Sequence, residues 1–390
     1  MSRSKNAQKL RTDFWLGSIT RLDHLQLGAD PEFFFSTPKN GFIRGAERVI
    51  PKDGIGTGSN GHSKAMFVLD GVQAELHPLP QTCRAYFGDD IRRCFLKLRE
   101  AMKESEVKLK PDFSSVVRIS RTELDKLSDQ SKQFGCKPSN NVYKGEGLTV
   151  DIDASKCTKR WAAGHIHLGA DDDEDTIRKA LKNPQQLVPV LDILLGNTCV
   201  LLDRDPQMAE RRKVYGRAGE YRTPEYGIEY RTLSNFWLRS YPLTSFVLNM
   251  ARFCVALTMA GDNYVKALKS LVDMDDIEKA INTNDIDLAY KNFKKIITFF
   301  EAIDVADSYS NTIIYEPSNT SPFTYYCIEQ FLFFASNGTD HWFDANVIEH
   351  WCNLGDGHHC GWETFMEKEV LPAYEKWVGN GKPSLGTSIL

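Results

Sequence analysis

The sequence predicts an α+β protein in which strands with interspersed helices come first and a helical region follows. Two observations carry this. Four short stretches set polar residues at alternate positions: Asp30-Pro31-Glu32, Glu75-Leu76-His77, His165-Ile166-His167 and Glu229-Tyr230-Arg231. On a strand, such i and i+2 residues share one face. After Leu243, apolar residues recur at helical spacing almost to the end of the chain. With 390 residues, 42% hydrophobic and 26% charged, the chain has ample length for a buried core.

In chain order, residues 1–24 are polar and mixed, which suits an arm or a short helix. Leu25 to Phe35 is apolar and aromatic and reads as a strand, with a bulge or edge expected at Pro31, which cannot donate to a ladder. Gly41 to Ile50 suits a hairpin return. Lys52 to Lys64 is dense in glycine and polar residues and reads as a loop. Met66 to Leu69 and Gln73 to Pro78 read as strands around the tight turn Asp70-Gly71. Ile91, Phe95, Leu98 and Met102 lie on one face of a helix over 89–103. A short strand follows at Val116 to Ser120, then a helix from Arg121 and a loop over 132–144. Ala162 to Leu168 is strand-like. Negative charge at Asp171 to Asp175 suits the N-terminus of a helix starting near Thr176. Pro184 opens another helix, through Leu195, and Thr198 to Leu202 reads as a strand. Arg211 to Arg222 is rich in arginine and glycine, and Gly227 to Ser234 is a strand. Helices are expected over 243–260, 262–273, 275–282, 286–303, 323–335 and 361–377.

The net charge of −4 provides no broad basic field for wrapping a nucleic acid backbone. Nine cysteines at irregular spacing favour a reducing compartment. The first residues contain no apolar signal region. Tyr241 to Ala260 carries Asn249 and Arg252, so it reads as a buried helix and not a membrane span. A cytoplasmic protein is expected.

The polar pairs are the candidate chemistry. Asp30 and Glu32 suit a hard cation such as Mg²⁺ or Mn²⁺; two solvated acids at a strand end are the plainer reading. Glu75 is flanked by apolar residues and fits either a ligand or an outward strand face. His165 and His167 stand between glycines, with room for a ligand to approach, and imidazole suits a cation or a phosphoryl oxygen. Arg211, Arg212, Arg217, Arg222 and Arg231 form the densest cationic run, and guanidinium forks suit phosphate and carboxylate. For Arg211 and Arg212, a surface patch or salt bridges to the neighbouring glutamates explain the charge equally well. Gly61-His62-Ser63-Lys64 lacks the Gly-Lys-Ser/Thr ending of a P-loop. Cys352, His358, His359 and Cys360, with His341 and His350 nearby, are zinc-type ligands at no standard zinc spacing; a polar loop between helices accounts for them better.

Taken in order, LGADPEFF, QAELHP, AGHIHLG, YGRAGEYR and IEYRTLSNFW resemble the motifs of the glutamine synthetase and glutamate–cysteine ligase superfamily. The chain most resembles its phage-encoded carboxylate–amine ligases, or amidoligases, over about residues 25–250. The resemblance implies a curved, mainly antiparallel sheet with outer helices. It implies that Asp30, Glu32 and Glu75 hold the metals, that His165 and Glu229 share the metal nearest the transferred phosphate, and that His167 lies near substrate or phosphate. It implies further that Arg217 and Arg222 contact the phosphates and the reacting carboxylate, and that Arg231 stabilises the transferring phosphoryl group. The further carboxylate ligand that often precedes the histidine strand has no clear counterpart in the sequence.

The implied organisation is an arm over 1–24, a catalytic domain over 25–260 and a helical region over 261–390. The implied activity is ATP- and Mg²⁺- or Mn²⁺-dependent amide bond formation through an acyl phosphate. The partners are a small-molecule or peptide carboxylate and an amine, with no membrane and no intact nucleic acid. Two rivals stand beside it: a phosphotransferase on a related scaffold, and a non-catalytic virion or partner-binding protein that keeps the fold.

Overall fold

The computed structural model describes residues 22, 24–56, 65–82, 84–134, 139–146, 152–171, 174–303 and 346–354. The strands are β1 (Gln26–Ala29), β2 (Glu32–Ser36), β3 (Ile43–Arg44), β4 (Ile55–Gly56), β5 (Ala65–Asp70), β6 (Gln73–Leu76) and β7 (Lys110–Asp112). They continue with β8 (Val116–Arg118), β9 (Asn140–Asn141), β10 (Gly145–Glu146), β11 (Lys159–Trp161), β12 (Ile166–Gly169), β13 (Glu220–Arg222) and β14 (Gly227–Tyr230). All pairings among the described residues are antiparallel. The sheet curls, and hydrogen bonding divides it into one sheet ordered β1-β12-β14-β13-β9-β10 and another ordered β3-β2-β6-β5-β4, with β7 also on β2. β8 and β11 form a separate pair.

Pro31 marks a change of sheet where the sequence reading placed a bulge or edge. The expected single strand over 25–35 is two strands: β1 pairs with β12, and β2 pairs with β6. Proline has no N–H to continue a ladder. Its carbonyl accepts from Leu76 N–H at 3.0 Å, and Glu32 N–H reaches Ala163 O at 2.8 Å.

The helices are α1 (Arg84–Glu104), α2 (Arg121–Lys126), α3 (Asp129–Lys132), α4 (Asp175–Leu181), α5 (Pro184–Leu202), α6 (Met208–Arg211), α7 (Tyr241–Ala260), α8 (Asp262–Leu271), α9 (Met274–Thr283), α10 (Ile286–Ile303) and α11 (Val347–Cys352). α4 and α5 pack on β12 to β14. Within α5, a π turn spans Asp192–Gly196, so the segment Asn197–Leu202 is helix and not the expected strand. Thr198 to Leu202 is wholly buried; a short apolar run with β-branched residues has the same appearance in a buried strand and a buried helix. α5 and residues 243–260 of α7 have the length and apolarity of membrane spans, but each is 89% buried inside the protein and forms its core. Ser240 caps α7 through its side chain, and Gly261 ends it at φ +115. One hydrophobic cluster runs from Leu22 through the sheets and α5 to Ile277, Phe293 and Trp351.

Cys94, Cys157, Cys199, Cys254 and Cys352 are free thiols. His350 Nε2 accepts from Tyr241 N–H at 3.0 Å and so serves the start of α7. His341, His358, His359, Cys360, residues 57–64 of the glycine-rich loop, most of the 1–24 arm and the helices expected over 323–335 and 361–377 lie outside the described residues.

Candidate active site

Register brings the predicted residues together. His167 lies opposite Glu229 on the β12–β14 ladder, Arg222 lies opposite Glu229 on β13–β14, and Glu32 lies opposite Glu75 on β2–β6. The backbone before β12 must approach closely: a Cβ on Gly164 would stand 2.3 Å from Ser234 O and 2.6 Å from Trp237 Nε1. The small residues ahead of the histidines therefore bring that strand down onto the 234–237 turn.

Asp30, His165, His167 and Glu229 form one cluster. Asp30 Oδ1 is 3.2 Å from His165 Nδ1 and 3.2 Å from His167 Nε2. His165 Nδ1 is also 3.3 Å from Glu229 Oε1. Arg231 Nη1 donates to Glu229 Oε1 at 2.6 Å, and Arg222 engages both Glu229 oxygens at 2.7 Å. Burial raises the Glu229 carboxyl, but His165, Arg222 and Arg231 outweigh it and hold it below the ordinary range. Burial likewise opposes Asp30, yet His167 and then His165 hold it well below its ordinary value. Burial and the Arg231 charge drive His165 down to about 4, so its ring is neutral and offers a lone pair. His167 is raised, since Asp30 and Glu229 outweigh its burial.

Glu32 belongs to a second acidic group. It is 3% exposed, and its Oε2 accepts from Ala163 N–H at 2.9 Å, Gln73 Nε2 at 3.2 Å and Tyr215 OH at 3.4 Å. Burial, then Asp70, Glu75 and Asp30, push its carboxyl well above the usual range. Asp70 hydrogen-bonds to Glu32 and is itself raised to about 6 by burial and by Glu75. Glu75 Oε1 pairs with His77 Nε2 at 3.0 Å. Sequence reasoning missed Asp70, because turn chemistry before Gly71 already accounted for it. It stands beside the Glu32 and Glu75 carboxylates. Gln73, Tyr215 and Tyr226 also went unread; the Tyr226 hydroxyl lies 2.7 Å from His167 Nδ1.

The arginine run divides. Arg222 and Arg231 reach the cluster, whereas Arg217 Nε donates to Arg212 O at 2.8 Å within its own turn. Arg211 and Arg212 are buried and not a surface patch, and among the described residues neither is salt-bridged to a glutamate. Arg211 is fully buried and donates to the carbonyls of Ala162, Arg231, Thr232 and Leu233. Arg212 is 4% exposed and donates to the carbonyls of Gly216 and Ile281. A guanidinium fork matches several carbonyls at once. Gly216, at φ +77, is required beside it, since a Cβ there would stand 2.2 Å from Arg211 Nη1.

The donor set suits a divalent cation. Ligand atoms of Asp30, His167 and Glu229 lie within 4.8 Å of one another. Apart from their close contacts with one another, Asp30 Oδ1, both His165 nitrogens and His167 Nε2 are buried with no well-aligned hydrogen-bond partner among the described residues. Carboxylate oxygens with imidazole fit Mg²⁺ or Mn²⁺. From Asp30 and His167 a cavity of about 500 Å³ opens between Val68, Pro78, Leu79 and Pro80 and the ring of Tyr226.

Residues 153–316 match the family model described as Phage phiEco32-like COOH.NH2 ligase-type 2. No curated protein sequence matches the chain. Among solved structures, a bifunctional glutathione synthetase from Pasteurella multocida is similar at 10% identity and a TM-score of 0.43, over 96% of this chain and 55% of that one. The chain thus spans about half the length of that protein. A novel glutamine synthase homolog is similar at 12% identity and a TM-score of 0.30, over 82% of this chain and 74% of that one. Scores this low carry no weight for the chemistry. The family match covers His165, His167, the arginine turn, Arg222, Glu229 and Arg231, and through it this chain is similar to the phage carboxylate–amine ligases.

Proposed function

We propose that the protein is an ATP-dependent carboxylate–amine ligase that forms an amide bond through an acyl phosphate. The observation that carries this is the convergence of Asp30, which lines the cavity, with His165, Glu229, Arg222 and Arg231, which lie in the segment that matches the ligase family. Phosphoryl transfer depends mainly on positioning and on neutralising charge. A divalent cation, Mg²⁺ or Mn²⁺, held by Asp30, His165, His167 and Glu229 would neutralise phosphate charge, and Glu32, Asp70 and Glu75 offer oxygen ligands for another. The apolar walls at Pro78, Leu79, Pro80 and Tyr226 suit the nucleoside end of ATP, with its phosphates toward Asp30. Arg231 and Arg222 both hold Glu229 and would steady the moving phosphoryl group and the carboxylate. An amine then attacks the acyl phosphate and releases phosphate. Burial of the cluster excludes the water that would otherwise hydrolyse the activated acyl group.

Thermal unfolding with ATP and Mn²⁺, against ATP and chelator, tests the reading. A ligand that binds the native state raises the melting temperature. A metal-dependent rise that Glu229→Gln abolishes is expected, followed by hydroxylamine trapping of an acyl phosphate across a panel of carboxylates. No rise at saturating ATP and Mn²⁺ would sink the proposal and favour a protein that keeps the fold without the chemistry.

A further inference from the structure

β14 carries Glu229 to the Asp30–His165 cluster, Arg231 follows its last residue on the same side, and Tyr230 between them faces the other way. The Tyr230 ring is fully buried, and its hydroxyl donates to Asp192 Oδ1 at 2.7 Å. Asp192 is itself fully buried, and its other oxygen accepts from Tyr143 OH at 2.8 Å. The Gly219 N–H, in the arginine turn, donates to the same carboxyl. One acid therefore ties together the site strand, the arginine turn and the hairpin of β9 and β10.

The helix is reshaped around this contact. Asp192 begins the π turn in α5, and Gly196 ends it. A Cβ on Gly196 would lie 2.5 Å from the Tyr230 hydroxyl. The wider turn and the missing side chain make the room that the hydroxyl occupies. π turns inside helices are rare and recur at functional sites. For packing alone, an apolar residue would serve better than a buried acid, because burying a carboxyl is costly. The groups that face Asp192 are two tyrosine hydroxyls and an amide, with the acid Glu278 as the nearby charge. That arrangement orients its neighbours and does not neutralise the acid.

We propose that Asp192 is a positioning residue: through Tyr230 it fixes the direction of Glu229 and Arg231 and so sets how tightly the site holds a divalent cation. This rests on the reading of Glu229 as a cation ligand. Partners that orient metal ligands from behind are typically worth about 10- to 100-fold in metal affinity.

The test is a titration of the full-length protein with Mn²⁺ alone, reading free Mn²⁺ by electron paramagnetic resonance. Tyr230→Phe and Asp192→Asn should weaken Mn²⁺ binding by about tenfold. Tyr143→Phe removes a hydrogen bond from the same carboxyl on the hairpin side, and it should bind Mn²⁺ as the parent does. Melting temperatures in chelator should fall by similar amounts in the two phenylalanine variants, which separates orientation from general stability. If Asp192→Asn does not fold, Tyr230→Phe still decides the matter. Equal Mn²⁺ affinity in Tyr230→Phe and the parent overturns the inference and leaves the ligase proposal standing, as does an equal loss in Tyr143→Phe. No Mn²⁺ binding by the parent protein overturns the cation site and this inference together.

Discussion

Arg231 is buried, and its guanidinium holds Glu229 through Nη1 at 2.6 Å. Lysine keeps the charge but not the fork. Arg231→Lys should leave nucleotide affinity near that of the parent and slow phosphoryl transfer by about 10²- to 10³-fold, the usual effect of losing one transition-state donor; equilibrium binding and single-turnover kinetics separate the two. Asp70 makes a different prediction. It is a buried acid hydrogen-bonded to Glu32, with Glu75 close by, and repulsion among them raises both Asp70 and Glu32. Asp70→Asn should weaken Mn²⁺ binding yet raise the melting temperature in chelator, since a like charge is removed. A lower melting temperature in chelator would show that the acid stabilises the fold instead. Asp30, Glu32, His165, His167 and Glu229 stood out in the sequence because alternation on a strand is written there, and the structure brings Asp30, His165, His167 and Glu229 together. Asp70 was not, because a turn residue and a ligand are the same letter. Arg211 was read as a charge, while its partners are carbonyls, which have no letter at all.

At the scale of elements, the glycines around β12 mark close approaches. Gly164→Ala would drive a methyl into Ser234 O and the Trp237 ring. Overpacking of this kind costs about 1–3 kcal/mol, and urea unfolding should show a loss in that range with the m-value unchanged. Pro31 reads in the sequence as a bulge or edge within one strand, and only the structure shows that β1 ends and β2 begins there; the buried apolar helix over Tyr241–Ala260 was plain from its spacing. The second half of α5 was not plain. Thr198 to Leu202 is buried on every side, so periodicity is lost there and nothing in the run separates strand from helix.

For the whole molecule, strand order was out of reach of local pattern. β1 finds its partner more than a hundred residues away on β12, and only the resemblance to a known family supplied the antiparallel, curled sheet. The buried acids leave a mark on overall stability. Burial raises Asp192 to about 7 against the ordinary 3.8. Between those values the folded state binds the extra proton, so the stability contributed is fully present below about pH 4 and is lost as pH rises through about 7. The span corresponds to roughly 4 kcal/mol at about 1.4 kcal/mol per pKa unit. Asp192→Asn should flatten the stability profile across this window in denaturant titrations run in chelator; an unchanged slope would place the titration elsewhere. The change of sheet at Pro31 has a consequence of its own. Asp30 and Glu32 belong to different acid groups, yet two peptide bonds join them, one leading into a ring of nearly fixed torsion. Chain geometry alone keeps their Cα atoms within about 7 Å of each other. The interval between the two centres is therefore capped in covalent bonds, and warming that lets one sheet breathe against the other would blur the cavity walls before it stretched that ruler.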